Sequence, residues 1–170
     1  MANTYTLISS NVLSTATASV TFSAIPATYT DLVVRYSTRA SVAGTNRSYR
    51  ITMNGSATGY SWTFLNGNGS AADSGRGTSL AFNLALYQNG DTTTANTFTN
   101  GELYFANYAG SAFKVMSSDT ANENNSTTAF RNVVANLWQD TSAITSITIA
   151  NPTDDIMAGS SFYLYGIKNS

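Results

Sequence analysis

Ser161-Phe162-Tyr163-Leu164-Tyr165-Gly166-Ile167 decides the fold. The stretch is uncharged and dense in aromatic and β-forming residues. Left as a free edge it would pair with other chains. It is therefore expected between neighbouring strands, with Phe162 and Leu164 packed on a core. Its counterpart is Asp31-Leu32-Val33-Val34-Arg35-Tyr36-Ser37-Thr38-Arg39. There Leu32, Val34, Tyr36 and Thr38 share one face, and Val33, Arg35, Ser37 and Arg39 the other. Together the two stretches predict an all-β, two-sheet antiparallel β-sandwich closed by the later strand.

Working outward, Thr4–Ser9 and Ser19–Ile25 alternate as strands, the second ending at Pro26, which has no amide to donate to a ladder. Arg47–Met53 turns Tyr49, Ile51 and Met53 inward before Asn54-Gly55, a pair that tolerates positive φ and signals a tight turn. Tyr60–Leu65 is a strand. Asn66-Gly67-Asn68-Gly69-Ser70 then opens a loop expected to reach Gly77, with Arg76 anchoring it through its rigid fork of donors. Thr78–Gln88 also has a helical spacing at Leu80 and Leu84, but alternation and flanking glycines favour a strand. Phe98–Tyr108, Phe113–Ser117, Ala129–Trp138 and Thr141–Ala150 continue the pattern. Asp119–Thr127 has no apolar period and reads as an exposed loop. Ten to twelve short strands without a convincing helix predict one domain over residues 1–170, in jelly-roll order, with an up-and-down barrel as the alternative connectivity.

Charged residues make up 10% of the 170-residue chain, against roughly 25% in an ordinary domain. Ser, Thr and Asn replace them. Such a surface keeps hydrogen-bonding capacity with little mutual repulsion, which suits persistent contacts with other subunits. A net charge of −1 supplies no field for a phosphate backbone, so nucleic acid is not an expected partner. Four arginines fall between Arg35 and Arg50 and read as strand-face charges and loop anchors. With no Cys and no His, disulfides, thiolate chemistry, imidazole or sulfur zinc sites and any His-based triad are excluded. Met1-Ala2-Asn3-Thr4 lacks the flank of a signal peptide, and no window has the length of a membrane helix. Assembly in a cytoplasm, away from membranes, is expected.

No pair of acids is marked out for glycoside hydrolysis: Glu102 falls on a strand and Glu123 in a loop. Asp154-Asp155 beside Asn151, and Asp119 near Asn122 and Glu123, could offer oxygen ligands to calcium, but neither has an EF-hand spacing, and Asx turns are the simpler reading. No metal or cofactor is expected. The many tyrosines and tryptophans need polar partners or a place at the rim of the core. The cluster best suited to carbohydrate or partner contact is Tyr60 and Trp62 with Asn66, Asn68 and Arg76. Asn46, Asn54, Asn68 and Asn124 match the glycosylation acceptor pattern, as an Asn- and Ser-rich chain does by chance.

Several segments resemble a small protein family recurrent in tailed phages, especially those of marine and cyanobacterial hosts. They are Phe22–Leu32, Gly67-Asn68-Gly69-Ser70, Ala95-Asn96-Thr97-Phe98, Asn107-Tyr108-Ala109-Gly110, Glu123-Asn124-Asn125 and Gly159–Lys168. The resemblance implies a virion-associated β-protein of capsid-decoration, cement or tail-fibre type, with no catalytic residues to carry over. The absence of a fused shaft, repeats or coiled coil favours decoration of the shell. The expectation is a non-enzymatic virion subunit assembled in the host cytoplasm. It would be a homo-oligomer, trimer favoured, bound to the major capsid protein or a tail component. The alternative is a carbohydrate-binding receptor-recognition module.

Overall fold

The computed structural model describes residues 4–44, 47–123 and 127–168. Among them are twelve strands and no helix: β1 (Tyr5–Val12), β2 (Ser19–Phe22), β3 (Asp31–Thr38), β4 (Arg47–Met53), β5 (Tyr60–Gly67), β6 (Ala72–Leu80), β7 (Asn83–Gln88), β8 (Thr99–Ala106), β9 (Lys114–Glu123), β10 (Ala129–Trp138), β11 (Ile147–Ala150) and β12 (Ser161–Ile167). They form an eight-stranded sheet, β1-β12-β3-β8-β9-β10-β5-β6, and a four-stranded sheet, β2-β11-β4-β7, with every ladder antiparallel.

This is jelly-roll order. With the hairpins β5–β6 and β9–β10 set aside, eight strands remain, and the sheets read first-eighth-third-sixth and second-seventh-fourth-fifth. The two hairpins extend one sheet only. That sheet is consequently twice as wide as its partner. Two distinct sheets rule out the up-and-down barrel.

As the alternation predicts, β12 lies between β1 and β3, with Phe162 and Leu164 fully buried. Leu32, Val34 and Tyr36 from β3, Tyr49, Ile51 and Met53 from β4, and Ile147 and Ile149 from β11 join them in one core. Asn54 and Gly55 both take positive φ (52° and 68°), and the Ser56 amide closes the turn onto the Met53 carbonyl at 2.9 Å.

Four segments differ from expectation. The loop placed over residues 66–77 is a hairpin whose turn is only 68–71, because Gly75 and Gly77 lie directly opposite Phe64 and Trp62. A β-carbon on either glycine would fall within 3 Å of the facing ring. The glycines are seats for aromatic side chains, not loop residues. The strand placed over residues 78–88 breaks at Ala81-Phe82, where Ser79 has taken positive φ (56°) and the chain crosses to the other sheet. β9 continues to Glu123, through residues assigned to an exposed loop. Its buried face there is Ser118, Thr120 and Asn122, which hydropathy cannot recognise. Of Thr141–Ala150, only β11 pairs. The residues before it are pinned by Asn54, whose side chain bonds Ala143, Thr145 and Ser146. Asn46, Asn124 and Asn125 lie outside the described residues.

Candidate functional site

The wide sheet has an inner face on the core and an outer face turned away from it. Register places one row of side chains across the outer face: Tyr163, Arg35, Glu102, Asp119, Val133, Leu65 and Ser74, from β12 to β6. The adjacent row ends in Ser117, Ala135, Thr63 and Arg76. Alternation along each strand puts these residues on one surface.

Four charges near the middle of this face pair with one another. Arg35 Nε donates to Glu102 Oε2 at 3.0 Å, and Arg131 pairs with Asp119. Both pairs are largely exposed and contribute little to stability, about 0–1 kcal/mol each. Their order matters more. Reading from β3 to β10, the charges run plus, minus, minus, plus. Between them lies a polar dish of about 350 Å³ bounded by Arg35, Asn100, Glu102, Asp119 and Arg131. Beside it runs a groove of about 440 Å³ with Thr63, Ser117 and Ala135 as floor and Leu65 and Val133 as wall. Leu65, Val115 and Val133 remain 59%, 54% and 39% exposed, far more than side chains of that size in a core. Leu65 and Val133 are direct cross-strand partners, so the apolar surface is contiguous.

The five residues singled out from sequence do not form one site. Tyr60 is buried, stacked on Trp138 with ring centroids 6.0 Å apart, and its hydroxyl accepts from the Met53 amide at 2.9 Å. Trp62 faces inward against Phe64 and Gly77. Asn66 is also inward and buried, donating to Asp73 at 2.6 Å. Asn68 folds its own turn, its Oδ1 accepting from the amides of Ser70 and Ala71. Arg76 stands opposite Thr63 on the outer face, exposed. Period-two alternation separates Arg76 from Trp62. Both sit on a ribbon that the sequence reading had treated as strand plus loop.

Arg39 performs the anchoring assigned to Arg76. Its buried guanidinium donates to the carbonyls of Asp91, Thr93, Thr94 and Thr97 at 2.8 to 3.0 Å. Glu123 accepts from the Thr94 amide and the Thr97 hydroxyl in the same loop. The side chains weighed as oxygen ligands, and set aside in favour of Asx turns, are likewise divided: Asp119 and Glu123 lie on the outer face of β9, whereas Asn122 is buried. Among the described residues, no three His, Cys, Asp or Glu side chains cluster as a metal site would require.

Sequence reasoning also missed a polar seam between the sheets. The Asn136 side chain accepts from the Leu84 amide at 2.8 Å and donates to its carbonyl at 3.1 Å, as a neighbouring strand would. Asn132 bonds Thr120 and Asn122 across β9. Asparagines two or four apart in Arg131-Asn132-Val133-Val134-Ala135-Asn136 share a strand face, which was the available signal.

No family model matches this chain, and no curated protein matches it. Among solved structures it is similar to the Caenorhabditis elegans galectin LEC-6, at 9% identity over 98% of this chain and 96% of that one, with a TM-score of 0.34. So loose a likeness carries no argument about ligand or role.

Proposed function

We propose that this protein is a structural, non-catalytic subunit of a phage particle that attaches through the outer face of its wide sheet. The observation that carries the reading is that face itself: broad, largely uncharged in sum, with contiguous exposed Leu65 and Val133 beside paired charges. The phage assignment is supported by the segment resemblance, and attachment by the low charge of the whole surface.

The charge order favours a different protein as occupant of this face. A two-fold, face-to-face pairing centred between Glu102 and Asp119 sets like charge over like, whereas a shell or tail protein can present the complementary order. Self-association, expected as a trimer, is a head-to-tail arrangement and falls to another surface. The β1 edge offers Tyr5, Leu7 and Val12, all about half exposed or more. The test is co-sedimentation of purified protein with expanded shells and with tails, followed by electron cryo-microscopy of decorated particles. Density at lattice positions with the wide sheet inward is expected. A subunit that binds neither, or that docks through the narrow sheet, overturns the proposal.

A further inference from the structure

A second pocket lies on the other side of the molecule. On the outer face of the narrow sheet, Arg50 stands opposite Ala150 of β11 on one side and Leu84 of β7 on the other. The small Ala150 side chain leaves space there, and the chain leaving β11 walls it. The result is a pocket of about 270 Å³ lined by Arg47, Arg50, Phe82, Asn151, Pro152 and Thr153, with Ser48 and Leu84 completing it.

Its cations lack the acidic partners that those of the wide sheet have. Arg35 and Arg131 each hold a carboxylate, but among the described residues no carboxylate lies within 4 Å of Arg47 or Arg50. The Arg50 guanidinium is held 4.5 Å from the centroid of the Phe82 ring, a cation–π contact that keeps it at the pocket. Asn151 is 6% exposed, and neither oxygen nor nitrogen of its amide has a partner; buried Arg47 Nε has none either. Buried polar atoms left in this state are costly, about 1–3 kcal/mol each. Three of them belong to the lining of one small pocket.

We infer that this pocket binds a hydroxylated monocarboxylate, the hexuronic acid unit of an acidic glycan. Arg50, together with the part of the Arg47 guanidinium that does not donate to the Ala43 carbonyl at 3.2 Å, supplies donors for one carboxylate. Phe82 and Pro152 offer an apolar side to a sugar ring, and the unpartnered Asn151 amide lies buried beside them. A second negative charge is disfavoured, because the adjoining groove beyond Asn151 and Pro152 carries Asp154 and Asp155. The site is on the sheet opposite the attachment face. A subunit held by the wide sheet would therefore present it outward, and either assignment can fail without the other.

Amide chemical-shift mapping of the full chain with sodium glucuronate tests this, with glucose and sodium sulfate as controls. Saturable shifts at residues 47–50, 82–84, 150, 151 and 153 are expected with glucuronate and not with glucose. Arg50→Met, which keeps an aliphatic cover on Phe82, is expected to weaken binding by about tenfold or more. Absence of saturable shifts at these residues, equal shifts with sulfate, or unchanged affinity in Arg50→Met overturns the inference. If Arg50→Met does not fold, Arg47→Met and the unsubstituted protein's map decide the matter.

Discussion

Tyr36 and Gly101 are direct cross-strand partners on the inner face, and a β-carbon on Gly101 would lie 2.1 Å from the tyrosine ring. The ring takes the volume a side chain on β8 would need, and it stacks on Phe162 of β12 at a centroid distance of 6.0 Å. Gly101→Ala must therefore displace a ring already wedged between strands. A loss of about 2–3 kcal/mol in urea denaturation is expected. Tyr36→Leu in the same chain should recover part of it, so that the double-mutant cycle is strongly non-additive. Additive losses would refute the relationship.

Replacing Arg39 by Met should be among the most damaging single changes. It strands four loop carbonyls that now share one guanidinium. The expected cost is about 2–4 kcal/mol. Hydrogen exchange should accelerate first across residues 91–97, before the sheets open.

On the wide sheet, Val133→Arg combined with Leu65→Glu should abolish co-sedimentation with the particle component that binds the unsubstituted protein. Both positions are exposed, so the change in stability should stay within about 0.5 kcal/mol per site. Retained binding by a folded double variant would remove this face from consideration.

Charges placed on the β1 edge test self-association separately. Leu7→Lys with Val12→Lys should shift the protein to monomer in light scattering, with unfolding little changed. An unaltered oligomer would move the contact elsewhere.

Alkaline pH should unfold the protein through its tyrosines. Burial pushes the Tyr36 and Tyr49 phenols far above the usual value of about 10. Tyr104 is pushed up to about 12, chiefly because its hydroxyl donates to Asp31 at 2.6 Å. A raised value in the folded state means the native form holds the proton more tightly than the unfolded chain. The stabilisation is therefore whole below about pH 10 and fades above it. Denaturation midpoints should fall from about pH 10 upward, less steeply in Tyr104→Phe. A flat profile to pH 12 would contradict the buried placement of Tyr36 and Tyr49.

Regular apolar alternation was legible in the sequence, and it was enough for β3, β4 and β12 and for the sandwich, whereas the choice of jelly-roll order over a barrel needed the strand pairing itself. What hydropathy could not reveal was a strand whose inward residues are polar. Ser118, Thr120 and Asn122 face the seam, so β9 looked like a loop beyond its middle. Gly75 and Gly77 misled for a different reason. In isolation glycine weakens a strand, but opposite an aromatic residue it makes room for a ring. That error propagated to the site, because placing Arg76 in a loop joined it to Trp62 and Asn66 across a sheet that keeps them apart. The outer face itself depends on which strands adjoin, and pairing between β8, β9, β10 and β5 is a property of topology, not of any one segment.

The position of β12 between β1 and β3 has a consequence for synthesis. β1 has no neighbour in its sheet until residues 161–167 have been made, and β3 waits for the same partner on one side. Assembly of that half of the domain is thus deferred until β12 has been made, with contacts far apart in sequence and correspondingly slow closure. During that interval Leu7 and Val12 have only chaperones, or sister chains on the same message, to meet.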